Sequence, residues 1–185
     1  MERNRPSETA NTIATARDQT AIPEMTTLYV MIGIPGSGKS TVAGLLGLPV
    51  VSTDAIRLEL TGDAEDQSAN DTVYAVAHAR TEQHLACGES VVFDATNLTG
   101  SSRRPLRKMA HSWNARLVAC LVDVDEATAR ERNRSRERVV PEFVMDRMIG
   151  QLAASATREA LASGGFEVRT PDEIRAEVEE RYGTR

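Results

Sequence analysis

The chain has little of several residue types, and each shortage excludes a class of protein. Its 185 residues include two cysteines, Cys87 and Cys120, which lie far apart and in apolar contexts. Two such cysteines cannot form a disulfide framework or a cysteine metal site. This cysteine usage predicts a reducing compartment, the cytoplasm. Aromatic residues make up 4% of the chain, too few to predict a platform of stacked rings for nucleic-acid bases. No apolar run approaches the length of a membrane span.

Basic residues are fewer than acidic residues. The chain has 22 Lys and Arg residues against 27 Asp and Glu residues, a formal net charge of −5. This balance gives no general attraction to nucleic acid, so any anion site must be local. Residues 1–5 are charged and lead into no apolar run, so we expect no signal peptide. Residues 1–25 lack periodicity and predict a flexible extension, or alternatively a docked arm, ahead of a single domain at residues 26–185.

The most informative segment is Gly33–Thr41, which fits the phosphate-binding pattern G-x-x-x-x-G-K-[ST] at every fixed position. Its glycines let backbone N–H groups approach phosphate oxygens, and the following helix points its positive end at the same anion. Lys39 would place its charge on the β- and γ-phosphates of ATP, and the Ser40 hydroxyl would ligate Mg²⁺. The predicted nucleotide-binding residues are Gly33, Pro35, Gly36, Ser37, Gly38, Lys39, Ser40 and Thr41.

Strand and helix patterns alternate around this loop. The apolar runs that predict buried strands are Leu28–Ile32, Pro49–Ser52, Ser90–Asp94, Arg116–Asp123 and Phe166–Arg169. Helical patterns cover residues 41–48, 70–87, 99–113, 125–135 and 141–162, and a last helix begins at Pro171. A phosphate-binding loop after the first strand then predicts an α/β fold of the P-loop NTPase type, with about five parallel strands between two helical layers.

Asp54 and Arg57 follow the second predicted strand, and ligands of open α/β sheets bind at such strand ends. Asp54 could accept the proton of an acceptor hydroxyl. Arg57, three residues later, would share its helix face and could hold an acceptor phosphate or carboxylate. The alternative is a helix-capping aspartate beside a solvated arginine.

The segment Asp94–Asn97 follows the third predicted strand. Its aspartate could bind the Mg²⁺ shell or orient a nearby arginine, or it could simply cap the next turn, as Thr96 and Asn97 could form that turn. Downstream, Arg103 begins a basic cluster on a predicted helix. The cluster either tracks a phosphate backbone or forms a solvated helix face; its members are Arg103, Arg104, Arg107 and Lys108.

Residues 130–138 carry five arginines against two glutamates and precede Pro141. Such a segment between two helices can close over a nucleotide and place guanidinium groups on the transferred phosphate. We therefore predict an Arg-rich lid at about residues 130–145, with an exposed basic helix end as the alternative.

Taken in order, these elements resemble the 5′-hydroxyl polynucleotide kinases of bacteriophage and bacterial end-healing enzymes, within a wider group of zeta-toxin-like P-loop kinases. The resemblance covers about residues 28–152 and rests on four segments: Gly33–Ser40, Asp54–Arg57, Asp94–Asn97 and Arg132–Arg136 with Val140-Pro141.

The resemblance implies roles for individual residues. Asp54 would be the general base, and Arg57 would contact the phosphate next to the acceptor hydroxyl. Asp94 would orient that arginine, while Arg132 and Arg136 would stabilise the donor phosphates and the transition state. With Lys39, the implied catalytic set is Asp54, Arg132 and Arg136, and the predicted substrate-binding set is Arg57, Asp94, Thr96, Asn97 and Arg103.

The sequence thus predicts an ATP- and Mg²⁺-dependent kinase acting on the 5′-hydroxyl end of DNA or RNA. A kinase of the same fold for a nucleoside, nucleotide-sugar or antibiotic hydroxyl is the first alternative. A non-catalytic nucleotide-binding switch is the second, and an Arg-rich lid together with a candidate base argues against it.

Overall fold

The computed structural model describes residues 25–64, 66–136 and 139–183. The flexible extension predicted for residues 1–25 therefore lies, apart from Met25, outside the described residues. Within the described ranges, no helix is both long enough and apolar enough to cross a bilayer.

Five parallel strands form the centre of the fold, in the order β2-β3-β1-β4-β5. Their bounds are β1 Thr27–Ile32, β2 Val50–Ser52, β3 Val91–Asp94, β4 Arg116–Leu121 and β5 Glu167–Arg169. The helices are α1 Lys39–Leu45, α2 Thr53–Thr61, α3 Asn70–Ala86, α4 Gly100–Ser112, α5 Glu126–Arg134, α6 Glu142–Ser155, α7 Arg158–Ser163 and α8 Pro171–Tyr182, with a 3₁₀ turn at Gln67–Ala69. This architecture confirms the predicted α/β fold of the P-loop NTPase type.

Both faces of the sheet are buried, which explains the uninterrupted apolar runs. Along β1, Leu28, Val30 and Ile32 face one core cluster with α2, α3, α4 and α7. The alternate residues Tyr29 and Met31 face a second cluster with α1 and α8. The period of two in side-chain direction thus sets the three layers.

A third apolar cluster lies away from the sheet. Ile34 of the phosphate-binding loop and Leu98 pack with Ala129 of α5 and Met145 of α6. All four side chains are at most 3% exposed. The helices that flank the predicted lid are therefore packed directly onto the phosphate-binding loop.

The continuous helix predicted for residues 141–162 is wrong. The chain leaves helical geometry after Ser155, and Thr157 starts α7 by accepting a hydrogen bond from the Ala160 amide. The buried Arg103 donates to the Ser155 carbonyl. That bond satisfies a carbonyl at the helix end, where the helix itself offers no partner.

Candidate active site

A cleft of about 400 Å³ opens where β1, β2 and β3 end at their carboxyl termini. The phosphate-binding loop forms its floor. The start of α2, the residues after β3, the start of α3, and two arginines near the end of α5 form its walls. The two segments that carry the predicted nucleotide site and the predicted acceptor site therefore face the same space. Parallel sheets bring strand ends together in this way.

The phosphate-binding loop is held by contacts that leave no room for side chains at two glycines. A Cβ at Gly33 would lie 2.6 Å from the Val122 carbonyl oxygen, and one at Gly36 would lie 2.5 Å from the Ala129 carbonyl oxygen of α5. Among the predicted nucleotide-binding residues, Gly33 and Ser37 are not part of the cleft lining. Those that line the cleft are Pro35, Gly36, Gly38, Lys39, Ser40 and Thr41.

We expect Gly36→Ala to destabilise the protein by at least about 2 kcal/mol. Gly36 has φ +80°, a conformation that costs other residues about 1–2 kcal/mol, and overpacking against α5 adds to that cost. The matched control is Gly44→Ala in α1, where an added Cβ meets nothing within 4 Å and alanine favours the helix. Denaturant unfolding checks both variants, and equal stability of the two would contradict the close approach of α5.

Lys39, Ser40 and Asp94 form the polar centre of the cleft. The Lys39 ammonium donates to the Ile34 carbonyl at 2.8 Å, and the Ser40 hydroxyl donates to Asp94 at 2.9 Å. Desolvation by the surrounding protein lowers the pKa of Lys39 to about 8; repulsion from Arg136 adds to this, and attraction to Asp94 opposes it. Burial raises the pKa of Asp94 above its usual range, although the Ser40 hydrogen bond and Lys39 oppose the shift.

The donor set at this centre fits Mg²⁺. The ion prefers hard oxygen ligands, binds through one or two protein groups, and takes its remaining ligands from water and phosphate. Ser40 offers a hydroxyl oxygen, and Asp94 offers a carboxylate that is 6% exposed and therefore poorly solvated. A cation at this point would satisfy a carboxylate that burial otherwise disfavours in its charged form.

The lowered pKa of Lys39 predicts a pH-dependent affinity for ATP. A bound triphosphate favours the ammonium form of Lys39, so the pKa of Lys39 is higher in the complex than in the free protein. At a pH above the pKa of the free protein, binding therefore takes up a proton. We expect the ATP affinity to be flat below about pH 8 and to weaken about tenfold per pH unit above it. Titration of nucleotide binding between roughly pH 7 and pH 10 measures this. Lys39→Arg, which stays charged, should flatten the curve, and a flat wild-type curve would contradict the lowered pKa.

The predicted base and its arginine meet at the opposite wall. Arg57 is 5% exposed and donates from Nη1 to Asp54 at 2.8 Å and from Nη2 to Asn70 at 2.8 Å. Asp54 lies in the first turn of α2, and the residue that caps this helix is Ser52. The alternative in which Asp54 is merely a capping residue beside a solvated arginine therefore does not hold.

Two of the predicted substrate-binding residues line the cleft after β3, and two do not. Asp94 and Thr96 face the cleft, but Asp94 contacts Ser40 rather than Arg57, so the implied pairing of Asp94 with that arginine is wrong. Asn97 is 1% exposed and donates to the Met31 carbonyl, and Arg103 is 6% exposed and donates to the Asn97 carbonyl. Both residues lie outside the cleft lining, and the Asn97 NH₂ group and the Arg103 guanidinium donate to backbone carbonyls.

The arginines of the predicted lid separate into two groups. Arg132 and Arg136 line the cleft, and the Arg132 guanidinium lies 3.9 Å from a Cβ built on Gly38. Arg130 instead pairs with Glu126, Glu142 and Asp146, and Arg134 contacts Glu131 and Glu142. Arg138 lies outside the described residues. Charge alone could not tell these arginines apart, since alternate helical positions face different ways.

Sequence reasoning assigned no individual role to three polar residues of this region. Asn133 is 1% exposed, and its amide makes two hydrogen bonds with the backbone of Val140, which holds this part of the predicted lid segment against α5. Asn70 and Gln67 line the acceptor wall. No pattern marks them, because an asparagine at a helix start is usually a cap.

Comparisons with known proteins agree with this geometry. A family model described as an AAA domain matches residues 28–157. A curated protein of Autographa californica nuclear polyhedrosis virus, described as a bifunctional polynucleotide kinase/RNA ligase, is 33% identical over 135 residues. The match covers 65% of this chain and 20% of that protein, so the chain spans a fifth of the length of the curated relative. This match confirms the resemblance stated from the four motifs.

Solved structures share the fold at lower identity. The structure of the Pnkp1/Rnl/Hen1 RNA repair complex matches with TM-score 0.57 and 22% identity, over 75% of this chain and 47% of that chain. A gluconokinase from Sinorhizobium meliloti 1021 matches with TM-score 0.56 and 21% identity, over 83% of this chain and 90% of that chain. The fold is thus found both in an RNA repair complex and in a protein described as a gluconokinase.

Proposed function

Since the chain belongs to the AAA domain family, whose model matches residues 28–157, we propose that it is a kinase that transfers the γ-phosphate of ATP to a hydroxyl group. The acceptor we propose is the 5′-hydroxyl end of DNA or RNA. One observation carries the proposal: the phosphate-binding Lys39 and the Asp54–Arg57 pair line opposite sides of one cleft. A nucleotide-binding switch needs the first of these but has no use for the second.

The proposed reaction is an in-line displacement. The acceptor oxygen bonds to the γ-phosphorus while the bond from that phosphorus to the bridging oxygen of ADP breaks. The hydroxyl proton passes to a carboxylate oxygen of Asp54. Lys39 holds the β- and γ-phosphates, and Arg132 and Arg136 face the cleft where negative charge develops. When it is bound, Mg²⁺ neutralises phosphate charge, and Ser40 and Asp94 are the residues that would hold it.

The acceptor side supports a phosphate-bearing substrate. Arg57 presents a guanidinium beside the candidate base, and guanidinium groups match phosphate geometry with paired hydrogen bonds. A nucleic-acid end places a phosphodiester a few bonds from its terminal hydroxyl. Arg57 is therefore suited to bind that phosphate while the hydroxyl meets Asp54. The relative described as a polynucleotide kinase supports the same acceptor.

A second candidate function is phosphorylation of a small sugar-like molecule. It is favoured by the gluconokinase structure, because this chain covers 90% of that protein but 20% of the viral relative. Arg57 would then hold the carboxylate or phosphate of a small acceptor.

Acceptor preference and its salt dependence distinguish the two functions. ATP turnover is measured with a short 5′-hydroxyl oligonucleotide, the same oligonucleotide already carrying a 5′-phosphate, and a panel of sugars and nucleosides. Of these acceptors, we expect only the 5′-hydroxyl oligonucleotide to support ATP turnover. The KM for this oligonucleotide should rise with salt. For each phosphate contact, log KM should increase by about 0.7 for each tenfold increase in salt concentration. Turnover with a neutral sugar and no salt dependence would favour the second function.

A further inference from the structure

The guanidinium of Arg57 is held from two sides by chemically different groups. Nη1 donates to the carboxylate of Asp54, and Nη2 donates to the side-chain oxygen of Asn70, each at 2.8 Å. The side chain is buried, and its Nε–H has no partner among the described residues. This arrangement fixes the plane of the guanidinium, and Nη1 and Nη2 each keep a second N–H donor for a ligand in the cleft.

Asn70 is itself oriented by the 3₁₀ turn at Gln67–Ala69. Its side-chain nitrogen donates to the Gln67 side-chain oxygen at 2.8 Å. Residues three apart eclipse one another in 3₁₀ geometry, which brings these two side chains together. Because Arg57 can only donate, Asn70 must present its oxygen to Arg57 and its NH₂ group to Gln67. The contact thus fixes the amide in one orientation.

The neutrality of Asn70 matters as much as its position. A carboxylate at this point would hold Arg57 equally well, but together with Asp54 it would more than cancel the guanidinium charge. An amide oxygen holds the group without adding a second negative charge, so an anionic ligand meets one guanidinium and one carboxylate rather than a net negative site. A ligand that carries a full negative charge benefits from this, whereas a neutral ligand does not.

We propose that Asn70 is a positioning residue for Arg57 and that it makes the site select acceptors with a phosphate next to the reacting hydroxyl. This inference rests on the proposed function and deepens it, since it assigns the preference among hydroxyl acceptors to a residue that carries no charge. Gln67 supports Asn70 from the far side.

The test compares thymidine 3′-monophosphate with thymidine as acceptors, for wild type and Asn70→Ala. We expect Asn70→Ala to raise the KM for the 3′-monophosphate by about tenfold, the usual effect of losing a hydrogen bond to a charged group. The KM values for thymidine and for ATP should stay within about twofold. Asn70→Asp should raise the KM for the 3′-monophosphate at least as much. It keeps the hydrogen bond to Arg57 but adds a negative charge that repels the phosphate. Ser68→Ala, an exposed change in the same turn, is the matched control.

The outcomes separate the inference from the function on which it rests. If Asn70→Ala raises both acceptor KM values equally, Asn70 is merely structural and the inference is overturned while the kinase stands. If wild type phosphorylates neither thymidine compound, the proposed acceptor class fails. Calorimetric titration of thymidine 3′-monophosphate in the presence of ADP then tests the role of Asn70. If Asn70→Ala weakens this binding, the phosphate-selecting role of Asn70 is retained. Binding that Asn70→Ala leaves unchanged, or no binding to wild type, overturns it.

Discussion

Asp54→Asn is expected to lower kcat for phosphoryl transfer by about 10²–10⁴-fold, the usual contribution of a positioned general base. Asparagine keeps an oxygen for the Arg57 contact of 2.8 Å but cannot accept the acceptor proton. The KM for ATP should change by less than about threefold, because Asp54 lies on the acceptor wall rather than on the phosphate-binding loop. Steady-state kinetics with saturating acceptor measure both quantities.

The chain offers a closely matched control for this variant. Asp172 and Arg175 of α8 form the same ion pair three residues apart, also at 2.8 Å, but on the protein surface. Asp172→Asn removes the same charge and should leave kcat unchanged, since exposed pairs contribute little. If Asp54→Asn keeps full activity, or if both variants lose activity equally, Asp54 is not the base.

Arg132→Ala is expected to lower kcat by about 10³-fold, at the lower end of the effect of arginines that contact a transferred phosphate. The reason is its position: it faces the cleft beside the phosphate-binding loop, where charge develops as the bond to ADP breaks. Rapid-quench measurement of a single turnover separates this effect from slow product release.

Arg134→Ala is the matched control because it lies on the same helix. Arg134 contacts Glu131 and Glu142 and does not line the cleft among the described residues. It should retain kcat within about twofold, because its exposed ion pairs contribute little. Equal losses for the two variants would mean that general positive charge in the lid, rather than one placed guanidinium, supports the reaction.

The phosphate-binding loop and the sheet could be predicted from the sequence because each rests on local rules. Leu28–Ile32 reads as a strand buried on both faces, and the loop pattern constrains backbone geometry directly. The helix break after Ser155 could not be predicted in this way. At the break the Ser155 carbonyl accepts a hydrogen bond from Arg103, which is distant in sequence, and local periodicity carries no information on distant contacts.

The acceptor wall shows the same limit more sharply. The sequence contains two Asp-x-x-Arg segments, Asp54–Arg57 and Asp172–Arg175, with identical spacing and the same ion pair. Spacing alone does not separate them, but the fold does: the Arg57 side chain is 6% exposed and that of Arg175 is 53% exposed. Burial depends on which helices pack together, and an arginine that is desolvated and held on two sides can act on a ligand in a way that a solvated one cannot.

Transfer of labelled γ-phosphate from ATP, with Mg²⁺, onto a short 5′-hydroxyl oligonucleotide tests the central claim most directly. We expect label on the oligonucleotide with wild type, none when the same oligonucleotide already carries a 5′-phosphate, and none with Asp54→Asn in the same reaction time. Steady ATP turnover with label on a sugar or nucleoside and none on the oligonucleotide would contradict it.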